Sequence, residues 1–154
     1  LDLGYNYRMT DMQAALGLSQ MKRIDGFVSK RHEIAKKYDE LLADCWLTLP
    51  FQHPDTYSAF HLYIIRLKTN ETKFSQREIF DRLRSHGILV NLHYIPIYTH
   101  PYYQAIGYNK SDFPEAESYY SEAISIPMYA TLTETEQQFV VDSIKKPLGY
   151  QNLF

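Results

Sequence analysis

Two short stretches hold the residue types that bind anions or polar ligands. The first is Gly4-Tyr5-Asn6-Tyr7-Arg8-Met9-Thr10-Asp11. Its glycine, asparagine and arginine precede a helix start, where free N–H groups and a partial positive charge attract anions. Asn6 can donate a hydrogen bond there, and Arg8 can clamp a phosphate with two parallel bonds. A purely structural reading competes: Asn6 makes a turn and Arg8 pairs with Asp11. The second stretch is Asn91-Leu92-His93-Tyr94-Ile95-Pro96-Ile97-Tyr98. It leaves the end of an expected strand, a place where α/β proteins put ligand groups. His93 and Tyr94 can hydrogen-bond a polar ligand, and the rings can stack on a sugar or a base. A tyrosine-rich packing loop reads equally well.

Other chemistries find less support. The six histidines form no HxxxH or HExxH pattern, and His93 and His100 lack a carboxylate or cysteine companion at metal-binding spacing. There is no GxSxG, and the six glycines form no phosphate loop of the GxGxxG or GxxxxGK[ST] kind. Cys45, beside Trp46 at an expected helix-to-strand junction, reads as a buried structural thiol. The aromatic residues Tyr57, Phe60 and Tyr63 read as core and interface.

Composition narrows the classes further. A chain of 154 residues with 45% hydrophobic and 22% charged residues can bury a core of its own. Sixteen basic against eighteen acidic residues give a net charge of −2, which disfavours phosphate-driven nucleic-acid binding. One cysteine excludes an internal disulfide and fits a reducing, cytoplasmic setting. No apolar run reaches the roughly 20 residues of a membrane helix. The first residue is leucine, as expected for a piece of a longer protein.

The elements that must position these residues follow from periodicity and capping signals. Thr10-x-x-Gln13, Ser75-x-x-Glu78 and Thr133-x-x-Glu136 are three capping boxes, each opening a helix. Helical spacing from Met12 breaks or kinks at Asp25-Gly26, then resumes from Phe27 to Leu42 with Lys30, Arg31, Glu33, Lys36, Lys37, Asp39 and Glu40 on a solvated face. Strands are expected at Trp46–Leu49, His61–Leu67, Ile88–Leu92 and Ile124–Ile126. Gly87 ends the Ser75 helix, and Pro114 opens a short one reaching Glu122. His93 to Tyr108 is a loop with one helical turn. The pattern predicts an α/β, or α+β sandwich, fold with a small sheet packed against helices.

The two ligand-binding stretches also carry a family resemblance. Gly4-Tyr5-Asn6-Tyr7-Arg8-Met9-Thr10-Asp11-Met12-Gln13-Ala14-Ala15 resembles the G-x-N-x-R-[ML]-[TS]-[DE]-x-Q-A-A signature of sugar-nucleotide aminotransferases of the DegT/StrS type. KRHEIAKKYDELL resembles that family's connecting helix, GILVNLHYIPIYTHPYYQ its H-Y-x-P loop, and SEAISIPMYATLTETEQQFVVDSI its closing segment. The matches run in the family's order over nearly the whole chain. The tyrosine-rich AFHLYIIRL and HYIPIYTHPYY look most like the UDP-4-amino-4,6-dideoxy-N-acetyl-beta-L-altrosamine transaminase group.

The resemblance implies a pyridoxal 5'-phosphate enzyme of the aspartate-aminotransferase fold. Such an enzyme moves an amino group from glutamate to a keto-sugar nucleotide in surface polysaccharide or glycan biosynthesis. It implies the C-terminal part of a homodimeric enzyme: residues 1–45 as leading segment and connecting helices, residues 46–154 as the small domain. This small domain would have a long N-terminal helix and a mostly antiparallel sheet with helices on one face. The lysine that bonds the cofactor lies upstream in the family, so the chain alone would be inactive, with no catalytic residue of its own. Carried over residue by residue, Asn6 and Arg8 fall at the cofactor phosphate, with Asn6 reaching a partner subunit. His93 and Tyr94 fall at the nucleotide sugar. The alternative class is a non-enzymatic module that binds carbohydrate or single-stranded nucleic acid through its tyrosines.

Overall fold

The computed structural model describes residues 7–68, 70–146 and 148. Two consecutive helices lead: α1 (Asp11–Met21) and α2 (Ile24–Leu42). Strands β1 (Leu47–Thr48) and β2 (Tyr63–Leu67) follow, then α3 (Gln76–Ser85). A 3₁₀ turn (Ile97–Thr99), the short α4 (Pro101–Ala105) and a second 3₁₀ turn (Lys110–Asp112) lead to α5 (Pro114–Glu122). The last elements are β3 (Ala123–Ile126) and α6 (Glu134–Lys145). The α/β class with a small antiparallel sheet, expected from the sequence, is the one found.

The sheet has the order β1-β2-β3, antiparallel throughout. β2 sits in the middle, with Leu67 opposite Leu47 and Ile65 opposite Ile124. Strand geometry sends alternate side chains to opposite faces. Tyr63, Ile65 and Leu67 are therefore buried in the main core, together with Ile34, Ala35, Tyr38 and Leu42 of α2, Ile79 and Leu83 of α3, and Val140, Val141 and Ile144 of α6. Ile64 and Arg66, on the other face of β2, are half-buried. Arg66 makes two bonds, of 3.0 and 2.8 Å, to Glu122 Oε2 at the end of α5.

Polar ties fix the helices to this core. Tyr38 Oη donates to the Pro127 carbonyl at 3.0 Å, and Tyr63 Oη donates to Asp39 Oδ1 at 2.6 Å. Buried Gln137 donates to the Ile34 carbonyl at 2.8 Å, joining α6 to α2. All three capping boxes form as the sequence predicts. Gly87 ends α3 in the left-handed region, with φ of +81°, where glycine carries no Cβ penalty. Cys45 is buried, and burial pushes its thiol pKa up.

Four sequence expectations shift. The break between the leading helices falls at Lys22-Arg23, not at Asp25-Gly26. The Lys22 amide still bonds back to Leu18, the Arg23 amide bonds to Gln20, and Asp25 enters the first turn of α2, where its charge suits the helix dipole. Ile88–Leu92 is no strand. The Ile88 amide is taken by the Leu83 carbonyl and the Val90 amide by the Ile88 carbonyl, so only Asn91 is left to bridge β3. His61 and Leu62 lie outside β2, after Phe60 at a φ of +43° whose carbonyl accepts from Arg31 at 2.8 Å. The polar face of α2 is accordingly not all solvated, because Arg31 and Asp39 are both tied to neighbouring segments.

Candidate functional site

The loop after Val90 is held at both ends. At its start, Asn91 and Ser125 exchange two backbone bonds: the Asn91 amide donates to the Ser125 carbonyl at 3.1 Å, and the Ser125 amide to the Asn91 carbonyl at 2.9 Å. Two residues on, His93 Nδ1 lies 2.7 Å from Ser125 Oγ. The strand β3 therefore fixes the chain at Asn91 and the ring at His93. The His93–Tyr94 peptide is cis. The Tyr94 ring stands edge-on to the imidazole, with centroids 4.7 Å apart and planes at 87°. Tyr94 is 72% exposed.

At the far end, Tyr98 turns inward through the Ile97–Thr99 turn and is 8% exposed. Its ring stacks on Phe113 at 4.5 Å, and its hydroxyl donates to Glu117 Oε1 at 2.7 Å. Burial, reinforced by the Glu117 carboxylate, pushes the phenol pKa up to about 12. Tyr103 and Tyr108 pack against each other, and Tyr108 packs on Phe113, in the same group. The loop thus presents a half-buried imidazole and an open phenol between two fixed points. Together they offer hydrogen-bonding groups and one exposed ring to a polar ligand, the arrangement expected of a binding loop rather than of a nucleophile.

Arg8 lies elsewhere. It lines a shallow open hollow with Tyr7, Met9 and Gln13, which neither His93 nor Tyr94 borders. Gln13 spends its carbonyl oxygen on the Thr10 amide at 2.9 Å, in the capping box that starts α1. Its amide NH₂ and the Arg8 guanidinium are donors beside a helix N-terminus, a set that fits a phosphate. The Arg8–Asp11 ion pair is not formed among the described residues. Asn6 lies outside the described residues. The structure thus brings His93 and Tyr94 together and leaves Arg8 in its own hollow.

Sequence reasoning missed Ser125 and the inward role of Tyr98. The signal for Ser125 was available: a lone small polar residue between Ile124 and Ile126 of an apolar strand needs a partner. A groove bordered by Leu89, Pro127, Tyr129 and Phe139 is apolar, and Glu136 on its rim is engaged in the α6 cap. Among the described residues no three metal-ligating side chains come together, and no helix is long and apolar enough to cross a membrane.

Residues 1–145 match the DegT/DnrJ/EryC1/StrS aminotransferase family, and the chain belongs to it. The spore coat polysaccharide biosynthesis protein SpsC of Bacillus subtilis is 35% identical over 145 residues, covering 92% of this chain and 37% of that protein. The UDP-4-amino-4,6-dideoxy-N-acetyl-beta-L-altrosamine transaminase of Helicobacter pylori is 35% identical over 148 residues, covering 94% of this chain and 38% of the relative. The solved structure of Helicobacter pylori PseC, an aminotransferase involved in the biosynthesis of pseudoaminic acid, superposes with a TM-score of 0.83 at 32% identity, over 98% of this chain and 40% of that one. The chain thus spans under two-fifths of the length of these curated relatives.

Proposed function

We propose that this chain is the C-terminal part of a pyridoxal 5'-phosphate enzyme that transfers an amino group from glutamate to a keto-sugar nucleotide. The observation that carries the reading is the His93–Tyr94 pair, held by β3 and open to solvent on a chain of this family. His93 and Tyr94 bind the nucleotide sugar. Asn6 and Arg8 hold the cofactor phosphate, Asn6 across a homodimer interface. When bound, the cofactor supplies the electron sink that carries the amino group from donor to acceptor. The lysine that bonds it belongs to residues outside this chain, so residues 1–154 alone do not turn over. Residues 1–45 link that large domain to the small domain of residues 46–154.

The exposed side of α1 supports a larger assembly. No residue of α1 is buried, and Met12, Leu16, Leu18 and Met21 are all exposed on it. Apolar surface of that kind asks for cover, and a large domain with its dimer partner would supply it. Tyr98, buried and stacked on Phe113, is withdrawn from any tyrosine stacking platform for carbohydrate or nucleic acid.

The test is cofactor retention in the whole protein, followed by the cofactor's visible absorbance. Asn6→Ala weakens retention by about 1–3 kcal/mol, the range of a hydrogen bond to a charged phosphate. Arg8→Ala weakens it in the same direction. Unchanged retention in both variants removes these residues from the phosphate site.

A further inference from the structure

We propose that Ser125 is a positioning residue for His93. Its buried hydroxyl donates to Nδ1, fixes the imidazole as the Nε2–H tautomer, and leaves Nε2–H as the donor for an oxygen acceptor of the nucleotide sugar. The inference rests on the functional reading above and adds to it a residue and a proton.

The argument starts from what a buried hydroxyl needs. Ser125 is 4% exposed in the middle of β3. Its amide and carbonyl are both committed to Asn91. Its Oγ has one partner among the described residues, His93 Nδ1 at 2.7 Å. A neutral imidazole has one N–H donor and one bare acceptor nitrogen, and the partner of one nitrogen decides which is which. If Nδ1 carried the hydrogen and donated to Oγ, the Ser125 hydroxyl hydrogen would be buried without an acceptor, which folded proteins avoid. If the hydroxyl donates to Nδ1, both groups are satisfied. The ring hydrogen then sits on Nε2, which has no protein partner among the described residues.

The same residue also fixes where the ring stands. The two backbone bonds between Ser125 and Asn91 set the start of the loop, and the side-chain bond pins the ring two residues later. A ring held in one tautomer and one orientation loses little freedom when it binds, so its hydrogen bond contributes more fully to affinity. The oxygen it serves is a hydroxyl, keto or phosphate oxygen. All three accept from N–H, and the keto and phosphate oxygens, with no hydrogen to give, repel a bare nitrogen lone pair.

Two measurements on the whole protein test this. In nitrogen-15 histidine spectra, with His93 assigned by its loss in His93→Gln, the unmodified protein shows Nε2 protonated and Nδ1 bare. Ser125→Ala shows a larger share of the Nδ1–H tautomer than the unmodified protein. In kinetics, Ser125→Ala raises KM for the keto-sugar nucleotide roughly tenfold, the scale of one lost hydrogen bond, with KM for glutamate unchanged. Ser125→Thr, which keeps the hydroxyl, restores the tautomer. A proton on Nδ1 in the unmodified protein overturns the proposal, as does a Ser125→Ala variant whose tautomer ratio or KM equals that of the unmodified protein. Should Ser125→Ala fail to fold, the tautomer of the unmodified protein decides alone. The spectra require no turnover: a protein that aminates no nucleotide sugar refutes the functional reading, whereas an Nδ1–H ring refutes the role of Ser125.

Discussion

Tyr98 Oη donates to Glu117 Oε1 at 2.7 Å, and this bond ties the far end of the His93–Tyr94 loop to α5. The acceptor is a carboxylate and the donor ring is stacked on Phe113, so the phenol holds its proton well beyond the ordinary tyrosine value of 10, up to about 12. A raised folded-state pKa means that the unfolded chain gives up the proton first as pH rises. The contribution of Tyr98 is therefore complete below pH 10 and is lost as pH climbs through about 12. Denaturant titrations at the two ends of that window should show stability falling, and Tyr98→Phe should fall less steeply across it. Equal slopes would detach Tyr98 from the alkaline loss.

Ile65 is fully buried at the centre of β2, opposite Ile124. Ile65→Ala removes three buried carbons and leaves a cavity that strands on both sides limit from collapsing. The expected destabilisation is about 2–5 kcal/mol in chemical denaturation. Ile64→Ala, on the half-buried face, should destabilise by clearly less.

The capping boxes at Thr10 and Thr133 have the same bonding pattern, closed by the Gln13 amide in one and the Glu136 carboxylate in the other, and opposite surroundings. α6 buries Gln137, Val140, Val141 and Ile144, while α1 buries nothing. Thr133→Ala should lower global stability by about 1 kcal/mol. Thr10→Ala, in residues 1–154 alone, should fray α1 without moving the global midpoint, because a short helix without tertiary packing opens locally. Hydrogen exchange of the α1 amides, read beside the denaturation midpoint, separates the two outcomes.

Cys45 is 4% exposed, and burial pushes its thiol pKa up. The thiolate is the reactive form. Folded residues 1–154 should therefore resist a thiol reagent at neutral pH, and denaturant should release one reactive thiol from them. Fast labelling of native protein would place Cys45 outside the core.

The sequence carried those parts of the fold whose signals are local. Capping boxes form from a hydroxyl and a carboxylate or amide three residues apart, so Thr10, Ser75 and Thr133 were readable without tertiary knowledge. The strand β2 was readable from its run of branched and aromatic residues. Ile88–Leu92 was misread because its branched residues suit a strand, while the Ile88 amide is taken by Leu83 at the end of α3 and the Val90 amide by Ile88, a competition that composition does not display. At the candidate site, His93 and Tyr94 were singled out by type and position. Their support was not: Ser125 is 32 residues away in sequence and meets His93 only across β3. Tyr98 was left unassigned because a tyrosine in a loop looks the same whether it faces a ligand or a carboxylate.

The central claim is amino transfer to a sugar nucleotide, and mass spectrometry of the whole protein's product tests it most directly. Incubated with pyridoxal phosphate, nitrogen-15 glutamate and a UDP-linked 4-keto-6-deoxy sugar, the protein should yield an amino-sugar nucleotide carrying the heavy nitrogen, and Tyr94→Ala should require more sugar nucleotide to do so. A keto sugar recovered unchanged, across UDP-, GDP- and dTDP-linked 3-keto and 4-keto substrates and with cofactor bound, would contradict the account.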